Sequence, residues 1–326
     1  MKISELTVGQ SVTVDLILSE CSIRKTKTNK DYLQCTLSDG TDTMDGKIWD
    51  YRASLGVPEA KLVYTLSGSI GEYAGRKQIT ISSMTKSQNQ DMSRFSVIYM
   101  ADRDHLWAQV MRLIGTIENR LLSEIVLGFY VHNKAQLINA TSAKGNHHVG
   151  FGGNLQHSYE VALYADGICK ALNNELMYEQ YSVNRDLCIA GALMHDIGKA
   201  WTYDQSTPAI DYNQNGRYFD HIIYGIQQLT KWSEENCVPA QQPYIQALCH
   251  IIASHHGEPE KGSPVYPNFM EALIVSYADG ISASLNTVLQ LNRKAEKEGK
   301  DITDKNWQLG NHPMTLQRNV LPELNK

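Results

Sequence analysis

An apolar run, CIAGALM at residues 188–194, ends directly on His195 and Asp196, with Gly198 and Lys199 close behind. Such a run is the buried stripe of a helix, and a charge at its end must be paired or bound to a cation. Neighbouring residues on a helix point about 100° apart. An adjacent His and Asp can therefore reach one ion from two directions, and the second carboxylate oxygen stays free to bridge to another. The same ligand chemistry recurs along the chain: His157 before the pair, then His221, His255, His256 and Asp279 after it. Five histidines and two carboxylates are enough for two ions of the transition-metal kind. A metal pair lowers the pKa of a bridging water and stabilises the oxygens of an in-line phosphoryl displacement.

The chain's 326 residues leave room for two domains. With 42% hydrophobic and 20% charged residues, its composition is that of a soluble globular protein, and we expect no stretch apolar enough to cross a membrane. The start, MKISELTVGQ, lacks the basic region and apolar core of a signal peptide. Six cysteines lie scattered without CxxC spacing, which reads as reduced thiols in the cytoplasm. The site is thus one of histidine and carboxylate, not a structural zinc knot. Net charge is −5, unevenly spread: residues 1–90 carry +1 and the remainder −6. A basic cluster of Arg24, Lys25, Lys27 and Lys30 reads either as a solvated hairpin or as a patch for a phosphate backbone.

Residues 1–86 read as five short strands: SVTVDLILSECSI, DYLQCTLSDGT, TMDGKIWD, KLVYTLSGSIGEY and RKQITISSM, parted by Gly-bearing turns. That pattern predicts a small closed all-β barrel of the OB type. Barrels of this kind grip single strands with exposed aromatics and nearby cations. Tyr32 beside the basic cluster and Trp49 after Lys47 are the candidates; about half of the barrel aromatics belong to its core. The polar stretch around 85–94 reads as the start of a linker, placed at 87–98. Residues 99–326 then turn all-α. Apolar spacing predicts a helix pair through 106–133 and helices over 158–172, 185–194, 221–236, 243–255 and 268–290. His157 lies near a helix start, and 201–220 reads as a loop or short hairpin beside the site.

The motifs NHHVGFGGNLQHS, LMHDIGK, FDHIIYG, ASHHGEPEKGSPVYP and EALIVSYADGISASLN, in that order, resemble the HD-domain phosphohydrolases. With GKIWD and GEYAGRKQITI in the barrel, roughly residues 1–290 resemble one branch, the YhaM-type 3′–5′ exoribonucleases, in which an OB-fold precedes the HD domain. The resemblance implies one metal site of His157, His195, Asp196 and Asp279. It implies a second that shares Asp196 and adds His221, His255 and His256. Asp196 and Lys199 become the catalytic pair, Lys199 reaching the scissile phosphate as a point charge. His147 and His148, with Arg24, Lys25, Lys27, Tyr32 and Trp49, are expected to contact substrate. The metal implied is two Mn²⁺, with iron, zinc and magnesium open. The tail from 291 onward departs from the family's ending.

The leading expectation is a metal-dependent 3′–5′ exonuclease of single-stranded RNA, and of single-stranded DNA, working as a homo-oligomer away from membranes. A nucleotide or cyclic-dinucleotide phosphohydrolase is the alternative that the acidic charge favours; the barrel speaks against it. A non-catalytic nucleic-acid-binding adaptor would be signalled by a lost ligand, and all seven are present.

Overall fold

The computed structural model describes residues 2–40, 42–49, 51–52, 56–73, 75–90, 95, 103–142, 152–175, 182–204, 211–239 and 242–315. The chain divides into two compact units, Met1–Ile98 with Asp204–Asp211, and Tyr99–Tyr203 with Tyr212–Lys326.

The first unit is the expected barrel. Its strands are β1 (Ser11–Lys25), β2 (Asp31–Ser38), β3 (Thr43–Ile48), β4 (Leu62–Tyr73) and β5 (Arg76–Lys86). They close in the order β1-β2-β3-β5-β4, with β4 returning onto β1 and only β3 and β5 running parallel. Side chains of a strand alternate between faces. Val12, Val14, Leu16 and Leu18 of β1 therefore point inward, together with Leu33, Cys35 and Leu37 of β2 and Ile79 and Ile81 of β5. β1 is long because it serves two partners. Its first half pairs with β4 and its second with β2, and the register slips between Leu18 and Glu20 at the hand-over. A one-residue irregularity of this kind bends a strand around a barrel corner. Gly68 sits at a similar slip in β4, where a Cβ would meet the Thr80 carbonyl oxygen at 2.2 Å. Past residue 86 the chain stays on the barrel: the Gln90 side chain accepts from Val63 N at 3.0 Å and donates to Val63 O at 2.9 Å, standing in for a strand neighbour.

The second unit is helical: α1 (Arg103–Ile114), α2 (Arg120–His132), α3 (Lys134–Leu137), α4 (Gly153–Lys170), α5 (Arg185–Met194), α6 (Lys199–Thr202), α7 (Gln214–Glu235), α8 (Pro243–Ser254) and α9 (Met270–Lys297). A two-stranded ribbon pairs β6 (Tyr203–Asp204) with β7 (Asp211–Tyr212) in the chain between α6 and α7. Asn119, Asn184 and Asn213 start α2, α5 and α7 by accepting from backbone N–H groups that have no partner inside the helix. The core gathers around α5, whose residues Leu187–Met194 are all buried, with Phe129 and Tyr130 of α2 and Ile251 and Ile252 of α8 against it.

Two expectations change here. α9 continues to Lys297, and by length and composition it is apolar enough to cross a membrane, contrary to the sequence reading. Its apolar content is split between two faces. Ala272, Ile274, Val275 and Ala278 enter the core, while Leu273, Tyr277, Ile281, Leu285 and Leu289 are exposed. The second change is in α7, which begins at Gln214, inside the stretch expected to be irregular, and breaks at Asp220.

Candidate metal centre

The geometry starts with α5. Tyr130 Oη donates to the Leu193 carbonyl at 2.6 Å, and Asn154 Nδ2 donates to the Asp196 carbonyl at 3.2 Å. The first reaches a carbonyl in the last turn of α5, where intrahelical donors run out, and the second adds to the bond the Asp196 carbonyl accepts from Lys199 N at 3.1 Å. They fix the backbone that carries His195 and Asp196, both 1% exposed. α6 follows at once, and Gly198 is there because α7 lies against it. A Cβ at Gly198 would stand 1.9 Å from the His221 carbonyl oxygen and 2.7 Å from Gly225 N. Close backbone approach of this kind is open only to glycine, and it brings His221 to the Asp196 side chain.

The ligand-type side chains converge on the two oxygens of Asp196. Oδ2 lies 3.5 Å from His157 Nε2 and 3.4 Å from His195 Nε2. Oδ1 lies 3.4 Å from His221 Nε2 and 3.5 Å from His255 Nε2. Asp279 Oδ1, from α9, stands 3.0 Å from His157 Nε2 and 4.0 Å from His195 Nε2. The ring of His256 packs on that of His255, centroids 4.1 Å apart, and lies 5.2 Å from that of His221. Two triads result, His157–His195–Asp196 and His221–His255–His256, and within each the candidate ligand atoms all lie within 4.8 Å of one another. Lys199 Nζ is 2.6 Å from Asp196 Oδ2, in a pair whose side chains are 9% and 1% exposed.

Hydrogen bonding decides whether this cluster suits a cation. His195 Nδ1 donates to the Ala192 carbonyl at 2.6 Å, and His255 Nδ1 to the Ile252 carbonyl at 2.8 Å. Ser282 Oγ donates to Glu160 Oε2 at 3.0 Å and so accepts from His157 Nδ1 at 3.1 Å. His221 Nδ1 donates to Asp220 Oδ1. With each Nδ1 so engaged, the four rings turn Nε2 inward. His157 Nε2 and His195 Nε2 face each other at 3.3 Å. Asp196 Oδ1, His221 Nε2, His255 Nε2 and His256 Nδ1 are buried without a hydrogen-bond partner. Orphaned buried polar atoms are costly, and a carboxylate oxygen among converging imidazole nitrogens is the donor set of a cation. Imidazole and carboxylate together suit manganese, iron or zinc.

The electrostatics agree. Burial, against the pull of Asp279, lowers His157 to about 4. Burial and the neighbouring His255 and His221 rings lower His256 to about 3, and burial also lowers His221. Burial opposes protonation of His195 too, but the Asp196 and Asp279 charges outweigh it and raise this one ring. Both carboxyls are lowered despite burial: Asp196 chiefly by Lys199 and His195, Asp279 by His157. Neutral imidazoles and ionised carboxylates are the forms that bind metal.

Asp220 was not marked from the sequence. It sits at the break in α7 with φ 55° and ψ 170°. Non-glycine residues occupy that region at a cost of roughly 1–3 kcal/mol. The signal was its place beside a ligand in FDH. Ser282 and Glu160 were also missed, although each lies three residues after a ligand on its own helix.

On the barrel, Arg24 pairs in register with Tyr32, and Lys25 with Asp31, to which it also makes an exposed ion pair at 3.4 Å. Lys27 is exposed in the turn that follows β1. The Tyr32 and Trp49 rings lie 4.8 Å apart at 33°. Lys47 completes the group: its Nζ lies 5.3 Å from the Trp49 ring and 5.0 Å from that of Tyr73, which is 69% exposed. Tyr64 is a core residue instead. His147 and His148 lie outside the described residues.

The HD domain family matches residues 154–284, the span that holds all seven ligand-type side chains. That stretch is an HD domain. The whole chain is similar to the 3′–5′ exoribonuclease YhaM of Geobacillus sp. (strain WCH70), 28% identical over 311 residues that cover 93% of this chain and 91% of that one. Among solved structures it is similar to the second OB-fold domain of replication protein A from Methanococcus maripaludis, 19% identical with a TM-score of 0.23, covering 27% of this chain and 95% of that one.

Proposed function

We propose that this chain is a metal-dependent hydrolase that removes nucleotides from the 3′ end of single-stranded RNA, and of single-stranded DNA. The convergence of two histidine groups on the two oxygens of Asp196 carries this reading. The similarity to an exoribonuclease over 93% of the chain supports the substrate. Two divalent cations, Mn²⁺ in our reading, would be held by His157, His195, Asp196 and Asp279 and by Asp196, His221, His255 and His256, and would supply an ionised water and stabilise the attacking and leaving oxygens.

The chain's own residues do the rest. Asp196 offers one oxygen to each histidine group, which keeps the two sites in one unit. Carbonyl, hydroxyl and carboxylate partners on Nδ1 orient the rings before anything binds. Lys199 brings a compact positive charge beside Asp196, where it meets a phosphate as a point charge. On the barrel, Tyr32, Trp49 and Tyr73 offer ring faces on which bases stack, and Arg24, Lys25, Lys27 and Lys47 offer charge for the backbone. Stacking of this kind accepts any base. The chain self-associates, as the resemblance implies.

Incubation with Mn²⁺ and single-stranded RNA labelled at its 5′ end, resolved on a gel, tests the reading. A ladder shortening one nucleotide at a time from the 3′ end is expected. An untouched strand alongside hydrolysis of mononucleotides or cyclic dinucleotides would move the assignment to a small-molecule phosphohydrolase.

A further inference from the structure

Asp220 holds a backbone conformation that costs stability, and the residue there is not the glycine that would hold it without cost. Its backbone angles are φ 55° and ψ 170°. They fall where a Cβ is crowded and glycine is at home. The break has a visible result. The helix that begins at Gln214 stops at Asp220 and restarts with His221, and the Asp220 carboxylate folds over both the N–H and the ring Nδ1 of His221. Held this way, the ring turns Nε2 toward Asp196 Oδ1 at 3.4 Å, in a buried position without any hydrogen-bond partner. The other three rings facing Asp196 owe their orientation to backbone carbonyls or to Ser282. His221 alone depends on a carboxylate next to it in sequence. Asp220 itself is exposed, with its side chain 59% accessible, so burial does not explain the residue.

We infer that Asp220 is a positioning residue: its carboxylate fixes the tautomer and direction of His221 for the second cation, and the chain keeps a strained aspartate for that purpose. The inference rests on the metal reading given above. It separates stability from binding, because the two depend on different parts of the residue. The backbone conformation sets the strain, and the carboxylate sets the ring.

Two variants of the full chain divide these effects. Asp220→Gly removes the crowded Cβ and the carboxylate together. Asp220→Asn keeps the backbone and an oxygen that accepts from Nδ1. For metal-free protein, Asp220→Gly is expected to raise Tm by about 2–12 °C, the range for relief of a strained position in a domain of this size. In calorimetric titration with Mn²⁺ the same variant is expected to bind the weaker equivalent about 10–100-fold less tightly, the usual loss for an outer partner of a ligating histidine. Asp220→Asn is expected to bind within a few-fold of wild type and to gain no stability. Imidazole ¹⁵N shifts of metal-free protein give a readout independent of cations. His221 is expected as the Nδ1–H tautomer in wild type and Asp220→Asn, and as a mixture in Asp220→Gly. An Asp220→Gly variant that loses stability and binds Mn²⁺ as wild type does, with the tautomer unchanged, overturns the positioning role. A wild type that takes up no Mn²⁺ overturns the metal reading and this inference with it.

Discussion

Lys199→Met would remove one charge from a buried pair and leave the side-chain volume nearly unchanged. Lys199 Nζ stands 2.6 Å from Asp196 Oδ2, and both side chains are withdrawn from water. Removing one partner of such a pair leaves an uncompensated buried charge and typically costs about 3–5 kcal/mol. At about 2–4 °C per kcal/mol for a helical unit of this size, the metal-free variant should melt roughly 6–20 °C below wild type. His195 limits the loss, because Asp196 and Asp279 already favour its protonated form. A divalent cation supplies the missing positive charge, so added Mn²⁺ should stabilise the variant more than wild type and close most of the gap. Turnover on RNA should stay low even with metal bound, since the charge for the phosphate is gone. Thermal melts of metal-stripped and Mn²⁺-loaded protein, with single-turnover cleavage beside them, separate these effects. A metal-free variant as stable as wild type would refute the view that Lys199 balances Asp196 in this pocket.

Other perturbations have equally defined outcomes. Gly198→Ala drives a Cβ into the His221 carbonyl and should cost about 1–3 kcal/mol or more, because backbone cannot step aside; the loss should appear in Tm and in Mn²⁺ affinity together. Acidification should destabilise metal-free protein between about pH 6.5 and 4. His157 (about 4), His256 (about 3) and His221 are held below the unfolded value near 6.5. In that window the unfolded chain binds more protons, so their stabilisation is complete above about 6.5 and is lost as pH falls. His195, raised, works in the opposite sense, but its stabilisation is lost only as pH rises above about 6.5, so it does not offset the three in this window; a Tm that stays flat over this range would contradict the assignment. Tyr32→Ala and Trp49→Ala should each weaken single-stranded RNA binding by about 1–3 kcal/mol, read by fluorescence anisotropy, without changing metal content.

What was legible in the sequence followed from periodicity. Alternation in SVTVDLIL and its neighbours gave the barrel strands because their inner faces are continuous rows of Val, Leu and Ile. The run CIAGALM gave α5 because every one of its side chains is buried. The structure brings the seven marked ligand-type residues together around Asp196, while His147 and His148 fall outside the described residues. Other features left no local signature. Gly198 reads as a helix stop in sequence, yet it is set by the carbonyl of His221, on a different helix. Asp220 was hidden because a left-handed position is normally announced by glycine. The helix ahead of it was hidden because QNG reads as a turn. Lys199 looked free to reach outward, although its place three residues after Asp196 is the spacing of an ion pair on a helical turn. Lys47 drew little notice because only Trp49 lies near it in the chain, and Tyr73, the second ring beside it, belongs to a different strand.

Metal stoichiometry tests the central claim most directly. Full-length protein is stripped with chelator, titrated with Mn²⁺ and assayed by elemental analysis, beside an Asp196→Asn variant that keeps the side-chain shape and removes its charge. Two equivalents per chain are expected for wild type. No tightly held equivalent is expected for the variant, since one carboxylate serves both histidine groups and two cations without it repel at close range. A wild type that holds none, or an Asp196→Asn variant that keeps both, would contradict the account of Asp196 as the shared ligand.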